Sequence, residues 1–410
     1  MGEEKKPKKI KAAGAMKKLM ADYFHELDEA SKSGSKKIAW CTSVGPAELL
    51  QSLGFLVYYP ENHGAMLGAT RMATDMIPVA NAIGYSPEIC SYLTSDVGAY
   101  LSKKTPLKGM GIDSIPKPDV LVYNTSQCRD VQDWMYWYHR ELDVPVLGVQ
   151  THRAVGDITE AHLKSISRQM QDMVEPLEKI AGRKFEMDSL KEVLARSLEC
   201  TIEWEKTLKA AEAVPSPITF FDGTIHMGPA VVLRGDPRAT EYYKLLNEEL
   251  YERIDQGIGA VEDEKYRLFW EGMPIWGKLR DNSELLGSHQ TCVVASTYCN
   301  SWIFKSFDPE DPFDSMAKAY LEIFIIRDEM FKEKYIEKMT KTYKIDGIIY
   351  HDSKTCPYNS NCRYGMHERL HKKLGLPSIT INADLNDLRC YSEEQTKTNI
   401  EAFIEQLAAR

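Results

Sequence analysis

Short apolar runs alternate with helix-forming stretches in the first and last thirds of this 410-residue chain. The first part contains KKIAWCTS, FLVYYPE, PDVLVYNTS and PVLGVQ, and the last part contains YRLFWEG, TCVVAST, DGIIYHDS and PSITINAD. Strands that are apolar along their whole length and separated by helices are typical of parallel sheets covered on both faces. The alternation therefore predicts an α/β fold.

The two strand-rich parts resemble each other and are separated by a helical, charged stretch. The segment Asp119–Cys128 is similar to Asp346–Cys356, and each is followed by a helical stretch and a Leu-x-x-Pro turn into another apolar run. We therefore predict two related α/β lobes with parallel sheets flanked by helices, plus a helical middle region. The expected domains are a tail and helix, the first lobe, the helical region, and the second lobe with a C-terminal helix: residues 1–33, 34–156, 157–260 and 261–410.

Charge and composition exclude several classes of protein. The formal net charge of −9 argues against a general nucleic-acid binder. No run reaches about 18 uninterrupted apolar residues, as a membrane span would require, and the Lys-rich N-terminus lacks the apolar core of a signal peptide. Nine scattered cysteines do not fit a secreted disulfide scaffold. We expect a cytoplasmic protein without a nucleic-acid or membrane partner.

The cysteines are candidates for metal chemistry, although no C-x-x-C pair is present. Cys90, Cys128 and Cys356 each stand at a predicted turn or element end. Such positions meet where open α/β sheets bind ligands, at the carboxyl ends of parallel strands. These thiols could hold a metal between the lobes, or they could be small buried hydrophobic groups. Three further cysteines lie within regular apolar or helical runs and are expected in the core: Cys200, Cys292 and Cys299.

Three polar residues follow the first two predicted strands. Ser43 precedes Gly45 and Pro46, so its hydroxyl could either cap a helix or act in a site at the strand end. Glu61 borders a predicted Gly-containing turn, where it is either a surface acid or a general acid or base with a raised pKa. His63 lies two residues further on and could move protons.

The segment from Gly272 to Leu279 imitates a phosphate-binding loop, G-x-x-x-x-G-K-[ST]. Leu279, however, replaces the Ser or Thr whose hydroxyl would bind magnesium. We therefore predict no direct ATP binding by this chain.

Several segments together carry a family resemblance. They are WCTSVGPAELL, YYPENHGAM, GYSPEICSYLTSDVGAYL, the Cys128 segment, WEGMPIW, HDSKTCPYNSNCRYG and INADLNDLRCYSEEQTKTNIEAF. In this order, from Ala39 onward, the chain resembles the 2-hydroxyacyl-CoA dehydratase and benzoyl-CoA reductase family. The resemblance implies an oxygen-sensitive subunit whose [4Fe-4S] cluster is held by Cys90, Cys128 and Cys356. A fourth iron position would be left for water or substrate, which suits a Lewis acid and one-electron donor.

The resemblance also implies partners and a reaction. A separate ATP-dependent iron–sulfur activase would deliver a low-potential electron, and a homologous second subunit or a second copy would complete the enzyme. Ser43 and Glu61 match family positions near the acyl group of an acyl-CoA substrate. The segments GYSPEICSYLTSDVGAYL and NSNCRYG are closer to the branch that reduces an aromatic acyl-CoA.

Three alternatives stay open at this stage. The first is a 2-hydroxyacyl-CoA dehydratase subunit that works through a ketyl radical. The second is a double-cubane-cluster reductase of the same family, because Cys41 and Cys362 depart from the expected pattern and could be extra ligands. The third is a metal-free, two-lobed binding protein. Cys390 stays unassigned.

Overall fold

Eight short strands form two separate four-stranded sheets in the computed structural model, which describes residues 9–410. The strands are β1 (Ile38–Cys41), β2 (Leu56–Tyr58), β3 (Val120–Asn124), β4 (Val146–Val149), β5 (Tyr266–Glu271), β6 (Thr291–Ser296), β7 (Gly347–Ser353) and β8 (Ser378–Ala383). Every pairing is parallel, and the orders are β2–β1–β3–β4 and β6–β5–β7–β8. These findings confirm the predicted fold class, whereas the domain boundaries stay a prediction. The Lys-rich start of the predicted tail, residues 1–8, lies outside the described residues.

The two sheets share local anchors as well as strand order. The Asp119 carboxylate accepts a hydrogen bond from the Ile38 amide at 2.8 Å, and the Asp119 amide donates to the Ile38 carbonyl. Asp346 makes the same pair of contacts with Arg267, again with 2.8 Å from amide to carboxylate. Each aspartate thus fixes the start of a third strand against a first strand. This shared pair of contacts accounts for the aspartate at the start of both similar segments.

Eighteen α-helices surround the sheets within residues 9–410. Those that precede or belong to the first lobe are α1 (Ala13–Ser33), α2 (Ala47–Ser52), α3 (Pro60–Ala69), α4 (Ala73–Ala82), α5 (Ser91–Leu101) and α6 (Asp130–Leu142). Between β4 and β5 lie α7 (Glu160–Asp172), α8 (Val174–Ala181), α9 (Met187–Lys209), α10 (Phe220–His226), α11 (Gly228–Val232) and α12 (Pro237–Asp255). The second lobe contains α13 (Leu279–Ser288), α14 (Thr297–Asn300), α15 (Pro312–Leu321), α16 (Glu329–Thr342), α17 (Met366–Leu374) and α18 (Glu393–Ala408). No helix in this described range is long and apolar enough to cross a membrane.

Helix α3 begins where the sequence suggested a turn, and it carries Glu61 in its first turn. Pro60 is suited to the first helical position because its fixed φ matches the helix and its missing amide is not needed there. The helix N-terminus also favours an acidic side chain such as Glu61. Gly64 serves close packing inside this helix, because a Cβ atom there would lie 3.0 Å from the Cβ atom of Tyr92.

The lobes meet closely along the same helix. Asn386, which follows β8, donates from its side chain to the Gly64 carbonyl at 2.8 Å and to Ser95 Oγ at 3.1 Å. A Cβ atom on Gly68 would lie 2.0 Å from Asn386 Oδ1 and 2.8 Å from Trp276 Cβ. The absence of a side chain at Gly68 therefore allows the second lobe to pack on α3.

The middle region is joined to the first lobe by a fully buried ion pair. The Arg234 guanidinium, between α11 and α12, donates from Nε to Glu48 Oε1 at 2.9 Å. It also donates to the carbonyl oxygens of Ser43 at 2.7 Å and Gly45 at 2.9 Å. The Ser197 hydroxyl on α9 donates to the same Glu48 oxygen. One buried side chain therefore fixes the loop that leaves β1.

We predict that Arg234→Met destabilises the protein by about 3–5 kcal/mol, because it leaves the Glu48 carboxylate buried without its partner. Urea unfolding monitored by circular dichroism measures this change. The control is Arg238→Met, because Arg238 is 40% exposed in its pairs with Asp236 and Glu26 and should lose at most about 1 kcal/mol. Equal losses in the two variants would contradict the importance assigned to the Arg234 contact.

Candidate active site

A cavity of about 330 Å³ lies between the lobes, where the carboxyl ends of strands from both sheets meet. Ser43 follows β1, Cys128 follows β3 and Cys356 follows β7, and all three line the cavity. Glu61 lies just after β2 and Tyr298 just after β6, and both also form part of its wall. Parallel sheets commonly bind ligands at this edge. The cavity is therefore the candidate active site.

The structure brings Cys90, Cys128 and Cys356 to this one cavity as half-buried free thiols. Cys90 immediately precedes α5, and the other two stand in turns after strands. Burial raises the pKa of all three thiols, that of Cys356 to about 12, and proximity among the three raises the pKa of Cys90 further. A set of buried thiols is suited to a metal group, which would supply the positive charge that thiolates need.

Within residues 9–410 no three His, Cys, Asp or Glu side chains converge closely enough to hold a single metal ion. An iron–sulfur cluster makes a different demand, because each thiolate binds its own iron and the ligands surround a volume rather than a point. Three thiols on one cavity wall therefore fit the donor chemistry of a cluster better than that of a mononuclear site.

Two aspartates tie the three cysteine segments together. The Asp130 carboxylate accepts a hydrogen bond from the Cys90 amide at 3.0 Å, and Asp130 itself lies two residues after Cys128. The segments of Cys90 and Cys128 are thereby joined.

Asp384, which follows β8, makes the second link. Its carboxylate accepts a hydrogen bond from the Ser91 hydroxyl. It also accepts from the Thr355 amide at 2.9 Å and from the Thr355 hydroxyl at 2.6 Å. Ser91 adjoins Cys90, and Thr355 adjoins Cys356. The Ser91 amide in turn donates to the Thr355 hydroxyl at 3.1 Å. One buried carboxylate therefore spans the lobes and joins two cysteine segments.

Glu61 is a buried acid that titrates near neutral pH. Burial raises its pKa to about 7, although hydrogen bonds from the backbone and side chain of Ser43 and from the side chain of Gln127 partly counteract this rise. The N-cap of α2 is Pro46, so Ser43 does not cap this helix and contacts Glu61 instead. Glu61 can thus accept or release a proton at the cavity wall.

His63 lies away from this cavity, in a buried network of its own. Its Nδ1 is 2.5 Å from Asp96 Oδ1, and its Nε2 is 3.0 Å from Thr105 Oγ1. Asp96 also accepts hydrogen bonds from the Trp134 indole at 3.0 Å and the Tyr138 hydroxyl at 2.6 Å. These contacts hold His63 in the interior of the first lobe, and its part in proton movement stays a prediction.

The remaining cysteines stay outside the cavity lining. Gly45 packs on the Cys41 thiol so closely that a Cβ atom would lie 2.4 Å from its Sγ atom. Cys362 is buried in a short 3₁₀ turn, so neither of these two departures from the family pattern faces the candidate site. Cys390 is half-buried in another such turn. Three thiols are in the core, as predicted: Cys200, Cys292 and Cys299.

The segment from Gly272 to Leu279, which imitates a phosphate-binding loop, makes contacts within the second lobe and with the first lobe. Lys278 forms ion pairs with Glu393 and, at 2.9 Å, with Asp281. Arg71 of the first lobe donates to the Gly277 carbonyl at 3.0 Å. The lysine of this segment is therefore engaged by carboxylates.

The sequence did not single out three aromatic residues of the cavity wall: Tyr92, Trp276 and Tyr298. They come from distant segments, and each by itself looks like an ordinary core aromatic. A weak signal was available, because Tyr92 lies two residues from Cys90 and Trp276 ends the WEGMPIW segment. Their convergence needs the packing of the lobes.

Comparisons with known proteins identify the group to which the chain belongs. Residues 42–407 match the family model described as 2-hydroxyglutaryl-CoA dehydratase, D-component. The chain is 29% identical to the (R)-2-hydroxyisocaproyl-CoA dehydratase alpha subunit of Clostridioides difficile, over 96% of this chain and 95% of that protein. It is 28% identical to the alpha subunit of lactoyl-CoA dehydratase of Anaerotignum propionicum, over 96% of both. Identity to a benzoyl-CoA reductase subunit of Thauera aromatica is 27%, over 99% of this chain and 97% of that protein. The resemblance is confirmed: the chain belongs to the 2-hydroxyacyl-CoA dehydratase and benzoyl-CoA reductase family of enzymes.

Proposed function

We propose that this chain is the iron–sulfur subunit of an enzyme that reduces an acyl-CoA thioester with a low-potential electron. The observation that carries this proposal is the meeting of three thiols and a buried acid at one cavity between the lobes. Cys90, Cys128 and Cys356 would hold a [4Fe-4S] cluster. Such a cluster would supply one-electron reducing power and a Lewis acid beside the acyl group.

The chain's own residues would bind the acyl group and move protons. Apolar side chains from α1, among them Met16, Met20 and Phe24, line the cavity and would exclude water from the acyl group. Glu61 would give or take a proton at the acyl carbon skeleton, because its pKa lies near 7. Ser43 would orient the Glu61 carboxyl group through the hydrogen bonds that join them.

The acyl group that suits this cavity best is aromatic. Trp134, Trp276 and Tyr298 stand in its wall, and aromatic rings pack favourably against aromatic ligands. We therefore propose reduction of an aromatic acyl-CoA. Dehydration of a 2-hydroxyacyl-CoA is the second candidate, and the dehydratase relatives support it.

We also propose that the working enzyme contains more than this chain. The relatives are themselves named as single subunits of their enzymes, which supports a second, homologous subunit or a second copy as the partner. A separate ATP-dependent activase would supply the electron, as the family resemblance implies. Such low-potential chemistry fits the cytoplasm of an anaerobic cell.

The experiment that tests this function is an anaerobic assay with an activase, ATP and a reductant. Benzoyl-CoA and a panel of 2-hydroxyacyl-CoA thioesters serve as substrates. Ring reduction without dehydration supports the first candidate, and dehydration alone supports the second. A protein that contains no iron after anaerobic purification and converts none of these thioesters would refute both.

Each of the three variants Cys90→Ala, Cys128→Ala and Cys356→Ala is expected to lose the cluster, because only two of the three thiolates that would hold it remain. Iron and acid-labile sulfide are counted on anaerobically purified protein, together with its electron paramagnetic resonance spectrum. Cys299→Ala is the matched control, because this buried thiol lies outside the cavity lining and should keep the wild-type iron content. A variant that keeps its iron removes that cysteine from the ligand set.

Asp384→Asn should weaken retention of the cluster while the fold is kept. An amide presents one acceptor oxygen where the carboxylate presents two, so one of the donors from Ser91 and Thr355 loses its partner. The rate of iron loss to a chelator should rise several-fold in this variant. Asp387→Asn is the control, because Asp387 lies three residues further along the same segment after β8 and its carboxylate pairs with Arg389 instead. Identical rates in the two variants would rule out a positioning role for Asp384.

Glu61→Gln should change stability in a pH-dependent way. The pKa of Glu61 is raised by burial from about 4.5 in the unfolded chain to about 7, so the folded wild type is favoured at low pH and loses stability as pH rises between these values. The amide that replaces the carboxyl group cannot ionise, so the variant should gain on the wild type across this window, by ~3 kcal/mol at most. Thermal unfolding from pH 4 to 9 measures the difference.

The control for Glu61 is Glu271, whose pKa burial also raises to about 7. Glu271 lies outside the cavity lining, so Glu271→Gln should show the same trend in stability with unaltered turnover. Glu61→Gln should keep its iron and slow turnover by about 100-fold or more, a typical effect of losing a general acid or base. Unchanged turnover would reject the proton-transfer role.

A further inference from the structure

The wall of the cavity between the lobes is rich in methionine. Six of the 17 methionines in the chain line it, and methionine is the most frequent residue type in the described lining. They come from several separate segments: Met16, Met20, Met66, Met110, Met227 and Met273. Methionine is unbranched and flexible, so it fills spaces of irregular shape and is common at sites that bind several different partners. The composition of the wall therefore indicates a site that adapts to its ligand.

The part of the wall that belongs to the second lobe is fixed by hydrogen bonds. Asn359 donates from its side-chain amide to the Sδ atom of Met273 at 3.1 Å. The Met273 carbonyl accepts a hydrogen bond from the His351 ring at 2.6 Å. Trp276 is held by its indole nitrogen, which donates to the hydroxyl of Tyr92 in the first lobe. These contacts leave this part of the wall little freedom to change shape.

Another part of the wall is formed by one face of α1. Met16, Met20 and Phe24 are spaced four residues apart along this helix, so they lie on the same face, and all three line the cavity. Phe24 is buried, whereas Met16 and Met20 are half-buried. Met20 lies beside Gly228 at the start of α11, where a Cβ atom would be 3.4 Å from the Met20 Sδ atom. The absence of a side chain at Gly228 leaves space beside this sulfur atom.

The backbone of α1 is itself anchored. The Glu249 carboxylate on α12 accepts hydrogen bonds from the amides of Lys11 and Ala12 at 2.8 and 2.9 Å. The Tyr23 hydroxyl donates to the Val57 carbonyl of β2 at 2.7 Å. The helix is thereby held against the middle region and the first sheet. A change of shape at this wall therefore comes from its side chains and not from movement of the helix.

We propose that Met16 and Met20 set the range of acyl groups that the site accepts, by adapting their side chains to flat aromatic and to branched aliphatic acyl-CoA thioesters. This inference rests on the proposed function, because it places the acyl group in this cavity. A rigid hydrophobic pocket distinguishes ligands that differ by one methylene group by about 10-fold or more. A wall that changes shape reduces such differences.

Binding measurements without activase or reductant test this inference, because the ligands are then not converted. The protein is purified anaerobically with any subunit that accompanies it, and dissociation constants are measured by calorimetry. Benzoyl-CoA has a flat acyl group and 4-methylpentanoyl-CoA a branched one, while acetyl-CoA is the reference for the part that all three share. The wild type should bind the two larger thioesters within about 10-fold of each other, and both more tightly than acetyl-CoA.

Met20→Ala should weaken binding of both larger thioesters about 5- to 10-fold relative to acetyl-CoA, because an apolar contact is lost. The double variant Met16→Leu with Met20→Leu keeps the apolar bulk but replaces unbranched side chains by branched ones. It should suit only one of the two shapes, so the two dissociation constants should move apart by a further factor of about 5 or more. Leu19→Ala is the control, because Leu19 is half-buried on the same helix but lies outside the cavity lining. Its relative affinities should equal those of the wild type.

The outcomes distinguish this inference from the function on which it rests. If Met20→Ala or the double leucine variant keeps the wild-type relative affinities, the assignment is wrong and the proposed function stands. Equal effects of Met20→Ala and Leu19→Ala would also refute it, because α1 would then act through its position alone. A wild type that binds only one of the two larger thioesters does not adapt, and the inference fails. If the wild type binds none of the three ligands, both the inference and the proposed function are overturned.

Discussion

The buried guanidinium of Arg234 is the contact on which the arrangement of the candidate site depends. It reaches from the helical middle region into the loop after β1 and donates to two backbone oxygens of that loop, those of Ser43 and Gly45, as well as to Glu48. Loop carbonyls buried away from water need such donors, because a parallel strand that has ended no longer supplies them. The position of Ser43, and through it that of the Glu61 carboxyl group, is therefore set by a residue far along the chain, in the middle region.

A buried polar group that needs hydrogen-bond partners also fixes the contact between the lobes. Asp384 forms no ion pair within residues 9–410. Its carboxylate accepts hydrogen bonds from segments next to two of the three cysteines, and also from the amides of Asn386 and Asp387. Buried carboxylates need several good hydrogen bonds, and this requirement fixes the geometry of whatever supplies them. The cavity is thus held by short polar contacts, whereas the closeness of the lobes depends on Gly68, where a side chain would collide with Asn386. The hydrogen bonds of a buried carboxylate and the small size of a glycine at the contact thus bring two similar lobes together around one site.

Much of the fold could be predicted from local patterns. Each of the eight apolar runs became a parallel strand, because a run that is apolar on both faces is stable only in a covered sheet. The exception was α3, where Gly64 in YYPENHGAM suggested a turn. The local signal was misleading there because this glycine serves the approach of Tyr92, which belongs to another helix and cannot be inferred from neighbouring residues. The position of His63 could not be predicted for a related reason: the face of α3 on which it lies depends on where the helix begins.

The sequence by itself determined the strands, their parallel pairing and the turn positions of Cys128 and Cys356, because apolar patterning and chain order act over short distances. The sequence also singled out Cys90, Ser43 and Glu61 as candidates, and the family resemblance implied roles for them. Only the tertiary structure decided that these residues line one cavity while His63 does not, and that Trp276 of one lobe donates a hydrogen bond to Tyr92 of the other in the wall of that cavity. The physical reason is that hydrogen bonds, burial and close packing are set by side chains from segments far apart in the chain, which meet only when both lobes and the middle region have packed.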